Sequence, residues 1–174
     1  MADTPDRIIP ARHIELRSVG FHRPIRYALL LLVGVFLVLG LVNVFGQTPE
    51  TVNATNAKAD MELFAPSHLR GGLLYEARFT IHANEKLKHA VLSLAPGWSE
   101  SQQMNTIEPA PVAQTSRNGN LIFTLGPIDK SAEFVLFIQF QVNPTNVGRR
   151  DADVTLYDGN TALLSIKRKI TIYP

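Results

Sequence analysis

Between Tyr27 and Phe45 the chain reads YALLLLVGVFLVLGLVNVF, nineteen residues with no charge, no proline and one amide, Asn43. As a helix this run is about 28 Å long, the thickness of a bilayer's hydrocarbon core. Such a helix is apolar on every face, and no position on a soluble surface suits it. A single transmembrane helix over residues 27–45 is the expectation. The competing reading is a cleaved signal peptide, which joins a short basic leader to an apolar core of about 7–15 residues with a small-x-small site directly after it. Here 26 residues precede the run, and Gly46-Gln47-Thr48-Pro49 is a poor cleavage site. The one Ala-x-Ala, Ala57-Lys58-Ala59, lies more than ten residues beyond it. An uncleaved anchor is therefore expected.

Lys and Arg set the orientation of such an anchor. Arg7, Arg12, Arg17, Arg23 and Arg26 precede the run, whereas only Lys58 stands between Gln47 and Leu69. The N-terminus is expected in the cytoplasm and the remainder outside, a type II single-pass arrangement. Residues 47–174 carry 12 Lys and Arg against 12 Asp and Glu, so the formal +2 of the chain resides in the N-terminal segment. No basic stripe points to nucleic acid. The chain has no cysteine. An exported domain without disulfides relies on its hydrophobic core and fits a prokaryotic envelope better than a eukaryotic secretory route.

Residues 1–26 read as a polar cytoplasmic tail with three prolines, whose arginines fix topology and meet anionic head groups. A docking motif for a cytoplasmic partner is the sharper alternative. Residues 46–59, GQTPETVNATNAKA, have linker chemistry, because they lack the apolar side chains that would offset ordering. Asn53-Ala54-Thr55 matches a glycosylation sequon, but it stands close to the expected membrane surface.

From residue 60 to 174 the period changes to two. Met61–Pro66 is a first short strand. Leu73–Ala83 alternates, with Leu73, Tyr75, Ala77, Phe79 and Ile81 facing the core and Leu74, Glu76, Arg78, Thr80 and His82 facing away. His89–Ala95 follows, with Leu92 and Leu94 inward. Asn118-Gly119 between Val112–Arg117 and Asn120–Leu125 is the strongest hairpin signal, since both residues accept the positive φ of a type I′ turn. The longest strand, Ala132–Val142, turns Phe134, Leu136, Ile138, Phe140 and Val142 to one face. Its other face runs from Val135 and Phe137 to Gln139 and Gln141, so one end is expected to be covered on both sides. Asp153–Tyr157 and Ala162–Ile172 close a final hairpin. Seven or eight short strands without an amphipathic helix predict an all-β antiparallel sandwich behind the helix.

The succession YEARFTI, LAPGW, GNLIFTLGPI, FQVNP, DVTLYDG and ITIYP resembles immunoglobulin-like domains of membrane-anchored bacterial surface proteins, over residues 60–174. The resemblance implies an immunoglobulin-like β-sandwich and no particular activity. The Cys…Trp…Cys signature of antibody-type domains is missing.

Candidate chemistry is sparse. His82 and His89 flank Glu85, but His82 falls on the polar face of its strand and no second histidine pair supports a metal site. Asp151, Asp153, Asp158 and Asn160 are oxygen donors of the kind calcium takes, and they equally suit a hairpin and its flanks. No Gly-x-Ser-x-Gly elbow presents a serine nucleophile, and nothing singles out a carboxylate pair for glycoside hydrolysis. The expectation is a non-catalytic protein without cofactor or metal. The most informative segment is Pro96–Pro111, PGWSESQQMNTIEPAP, which holds the only Trp in the chain. Read as a long loop, it offers Trp98, Met104 and Ile107 as anchors for a partner. The alternative is that Trp98 folds back to cap the sandwich and the segment merely crosses between sheets.

Two functions follow. One is a membrane-anchored accessory or assembly protein binding another envelope protein. The other is a binding module for cell-wall glycan or another extracytoplasmic ligand. Aromatics placed mostly on core faces favour the first.

Overall fold

The structure, a computed structural model, describes residues 22–42, 44, 47–100 and 102–174. It divides into two compact units, residues 1–45 and 46–174. Helix α1 (His22–Leu41) makes up most of the described part of the first. Its stretch Arg23–Leu41, with a mean hydropathy of 2.2, is the one described helix long and apolar enough to cross a membrane, a test that a signal sequence also meets. Most of the cytoplasmic tail expected over residues 1–26, and Asn43 in the expected span, lie outside the described residues.

The second unit is all strand and turn. In chain order its described strands are β1 (Pro49–Thr55), β2 (Ala59–Pro66), β3 (His68–Arg70), β4 (Leu74–Ala83), β5 (Leu87–Leu94), β6 (Gln102–Glu108) and β7 (Ala113–Arg117). There follow β8 (Asn120–Ile128), β9 (Glu133–Val142), β10 (Gly148–Asp151), β11 (Val154–Asp158), β12 (Thr161–Ile166) and β13 (Lys169–Tyr173). The first sheet runs β1-β2-β4-β9-β6 and the second β12-β11-β5-β8-β7, both antiparallel. A small third sheet, β10-β13-β3, contains a parallel pair, β13 with β3.

Alternation builds one core. Met61, Leu63, Phe79, Ile81, Leu136, Ile138 and Phe140 point inward from the first sheet. Leu87, Leu92, Leu94, Phe123, Val154 and Leu156 do so from the second, in a single buried cluster. The faces predicted for Leu73–Ala83 and for the longest strand hold, except that Leu73, expected inward, precedes β4 and is 40% exposed. So does the hairpin turn, with φ of 53° at Asn118 and 81° at Gly119.

Several expectations are corrected. Pro49–Thr55 is an edge strand rather than linker. It needs only Val52 and Ala54 against the core, because its ladder to β2 satisfies the backbone, and a leading proline is tolerated at an edge. Pro96–Pro111 is not a long loop. It is a 3₁₀ turn at Pro96–Trp98 followed by β6, whose ladder to β9 slips at Asn105. That bulge places Met104 and Ile107 three residues apart on one face and hides the strand from a period-two reading. Strand β8 continues through Gly126-Pro127, and β3 and β10 were not anticipated. Ala162–Ile172 is two strands in different sheets. It reads as one because Leu164, Ile166, Ile170 and Ile172 keep the alternation across the break, with Arg168 taking the inward place between them.

Candidate functional site: the outer face of the first sheet

Trp98 is 0% exposed. Its turn is held by its own amide donating to the Ala95 carbonyl at 3.0 Å. The ring lies against Phe140 and Phe79, with centroids at 5.3 and 5.7 Å, and Nε1 donates to the Ala152 carbonyl at 3.0 Å. A Cβ at Gly97 would collide with the Asp151 carbonyl, so glycine is what lets the turn approach β10. The Arg168 guanidinium sits 5.7 Å from the Trp98 ring, and its Nη2 donates to the carbonyls of Pro66 and Ala65 at 2.9 and 3.2 Å. Tyr75 stacks on Phe140 and donates its hydroxyl to Gln102 Oε1, while Gln102 Nε2 donates to the Gly97 carbonyl at 3.1 Å.

This cluster is a structural plug. Burial raises the Tyr75 pKa, with Arg168 and the Gln102 hydrogen bond pulling the other way, so the phenol stays protonated and is no nucleophile. Burial lowers that of Arg168, opposed by Tyr75 and Glu50. The expectation that Trp98 anchors a partner is corrected, because its side chain has no surface to present. Met104 and Ile107 pair with Phe140 and Ile138 and pack, half-buried, on the core.

The other candidates separate. His82 stands in the first sheet and His89 in the second. Asp151 pairs with Lys169 at 3.3 Å and Asp153 with Lys167 at 2.6 Å, while Asp158 accepts the His89 amide at 2.8 Å. Among the described residues no three His, Cys, Asp or Glu gather to hold a metal.

A different set does come together. Cross-strand register lines up Thr51, Phe64, Arg78, Phe137 and Glu108 across the outer face of the first sheet. The Arg78 guanidinium lies 5.1 Å from the Phe64 ring centre, and its Nη2 is 3.7 Å from Glu62 Oε1. Phe137, on the far side of Arg78, keeps 38% of its surface in solvent. The next rows are Asn53, Glu62, Thr80 and Val135, then Thr55, Asp60, His82 and Glu133. Of these, Asn53, Thr55, Asp60, Glu62, Thr80 and His82 border, together with Met61, a hollow of about 300 Å³. Among the described residues, Asp60, Glu62, Glu76, Glu108 and Glu133 thus share one face with a single fixed cation, Arg78. Chemically the face offers aromatic area, one guanidinium and a carboxylate surround, which suits recognition of a cationic surface.

Sequence reasoning missed this face for two reasons. It placed Phe137 on the mixed side of its strand and expected cover there, and it did not assign Phe64 a face. The signal was present in Met61, Leu63 and Ala65, whose alternation turns Phe64 outward.

No protein-family model and no curated protein matches the chain. Among solved structures it is similar to CaCohA2 from Clostridium acetobutylicum, at 12% identity over 75% of this chain and 94% of that one, TM-score 0.42. It is also similar to the human F-spondin reeler domain, at 11% identity over 63% and 83%, TM-score 0.39.

Proposed function

We propose that this protein is a non-catalytic accessory or assembly protein of a bacterial envelope, anchored by α1 with its N-terminus in the cytoplasm and its β-domain outside. The asymmetry of Lys and Arg around the helix supports that orientation. An immunoglobulin-like type for the sandwich rests on the sequence resemblance, and two five-stranded antiparallel sheets are compatible with it. The domain binds a partner protein through the outer face of its first sheet. The observation that carries this reading is the Phe64–Arg78–Phe137 row set among carboxylates, since aromatics and arginine are what protein interfaces concentrate. The partner surface that fits is basic.

The test places a photoreactive phenylalanine at Phe137 in the full chain in cells, with a control at Tyr157 on the second sheet. The expected result is a discrete adduct at 137 that disappears when Arg78→Ala is added. Equal labelling at both positions, or an adduct indifferent to Arg78, would sink the proposal.

A further inference from the structure

The third sheet presents a surface of opposite character at one end of the domain. Its outer face carries Arg149, Lys169, Thr171, Tyr173, His68 and Arg70, by the register of β10 with β13 and of β13 with β3. His68 stacks on Tyr173 at 6.0 Å. The acid on this face, Asp151, is paired with Lys169. Apolar side chains fringe the sheet. The turn leaving Arg70 leads to Leu73 and Leu74, tied down by Gly71 donating to the Tyr173 carbonyl and Gly72 to that of Val142, each at 2.9 Å. Val147 directly precedes β10. Leu73, Leu74, Val147 and Tyr173 remain 40%, 52%, 49% and 39% exposed, an unusual grouping beside three cations.

The chain also enters the domain at this end. Pro49, the first residue of β1, pairs with Pro66, and the next residue, Ser67, accepts the Thr171 amide at 2.9 Å. Only residues 42–48 separate α1 from β1. Fully extended, the path from Leu41 to Pro49 covers at most about 27–29 Å.

We propose that this end of the domain rests on the surface of an anionic lipid bilayer. Leu73, Leu74 and Val147 enter the interfacial layer, and Tyr173 sits at head-group level with its ring apolar and its hydroxyl wet. Arg70, Arg149 and Lys169 contact lipid phosphates. The inference rests on the anchor reading of α1, because the short connection is what delivers this surface to the membrane.

The absence of cysteine makes the test direct. Full-length single-cysteine variants Leu73→Cys, Val147→Cys and, at the opposite end of β4, Glu85→Cys are labelled with an environment-sensitive fluorophore. They are reconstituted into phosphatidylcholine vesicles with or without phosphatidylglycerol, containing brominated lipid as a depth quencher. The expected result is quenching at 73 and 147 but not at 85, stronger with phosphatidylglycerol. Combining Arg70→Glu with Arg149→Glu should reduce the engaged population by at least about tenfold. Equal quenching at the three sites, or quenching indifferent to the anionic lipid, overturns the proposal. Loss of the chain from the vesicles in an alkaline wash overturns the anchor reading and this inference together. Retention with unquenched labels overturns this inference alone.

Discussion

The outer faces of the first and third sheets are built by the same rule and end with opposite charge. On the first, every second residue of β2, β4 and β9 brings Asp60, Glu62, Glu76 and Glu133 around Arg78. On the third, it brings Arg149, Lys169 and Arg70 together with Asp151. Residues 47–174 are formally neutral, so composition hides this segregation. A period of two collects alternate residues of each strand, and register sums them into faces that the linear order never displays. The lesson is that a balanced chain can carry two strongly charged surfaces without any charged run.

The two faces are joined by the Trp98 plug, which touches the first sheet through Phe79 and Phe140 and the third through the residues flanking β10 and β13. Trp98→Ala should therefore break both at once, at a cost of about 3–5 kcal/mol in the urea unfolding of the full chain in detergent. A variant of unchanged midpoint would mean that the faces are held independently.

The comparison sharpens at two adjacent residues. Ile138 is fully buried and Phe137 is its outward neighbour. Ile138→Ala should cost about 2–5 kcal/mol. Phe137→Ala should cost about 1 kcal/mol or less while abolishing the crosslink partner's capture. Equal stability losses would show that the outer face is packed, not presented.

A smaller effect is set by pH. The Tyr75 pKa is raised above its ordinary 10.0 by burial, so the folded state keeps a proton that the unfolded chain releases. Its stabilising contribution is intact below pH 10.0 and is lost as pH rises beyond that value. Tyr75→Phe should flatten the alkaline fall of the unfolding midpoint, and an unchanged slope would remove Tyr75 as its cause. The smallest change is expected from Glu62→Gln. Its ion pair with Arg78 spans 3.7 Å with both side chains 41% exposed. Such a pair is worth about 0–1 kcal/mol, so a larger loss on thermal melting would show that the acidic face is internally coupled.

Legibility differed by element. The apolar helix, the inward faces of β4, β5 and β9 and the Asn118-Gly119 turn followed from local pattern, because each depends on neighbours in the sequence. Strand β6 escaped because the bulge at Asn105 shifts the phase between Met104 and Ile107. Strand β1 escaped because an edge strand draws its stability from a ladder that a polar sequence does not announce. Trp98 was visible as unusual, but solitary aromatic character does not distinguish a plug from an anchor.

By itself the sequence determined that an apolar segment of membrane-spanning length precedes an alternating, cysteine-free β-domain, since hydrophobicity and period act over a few residues. Only the tertiary structure decided that Trp98 turns inward, that Arg168 occupies a core position, and that Phe64 and Phe137 flank Arg78 across three strands. Those outcomes depend on register between segments as far apart as residues 64 and 137, and register is set by how the whole core packs.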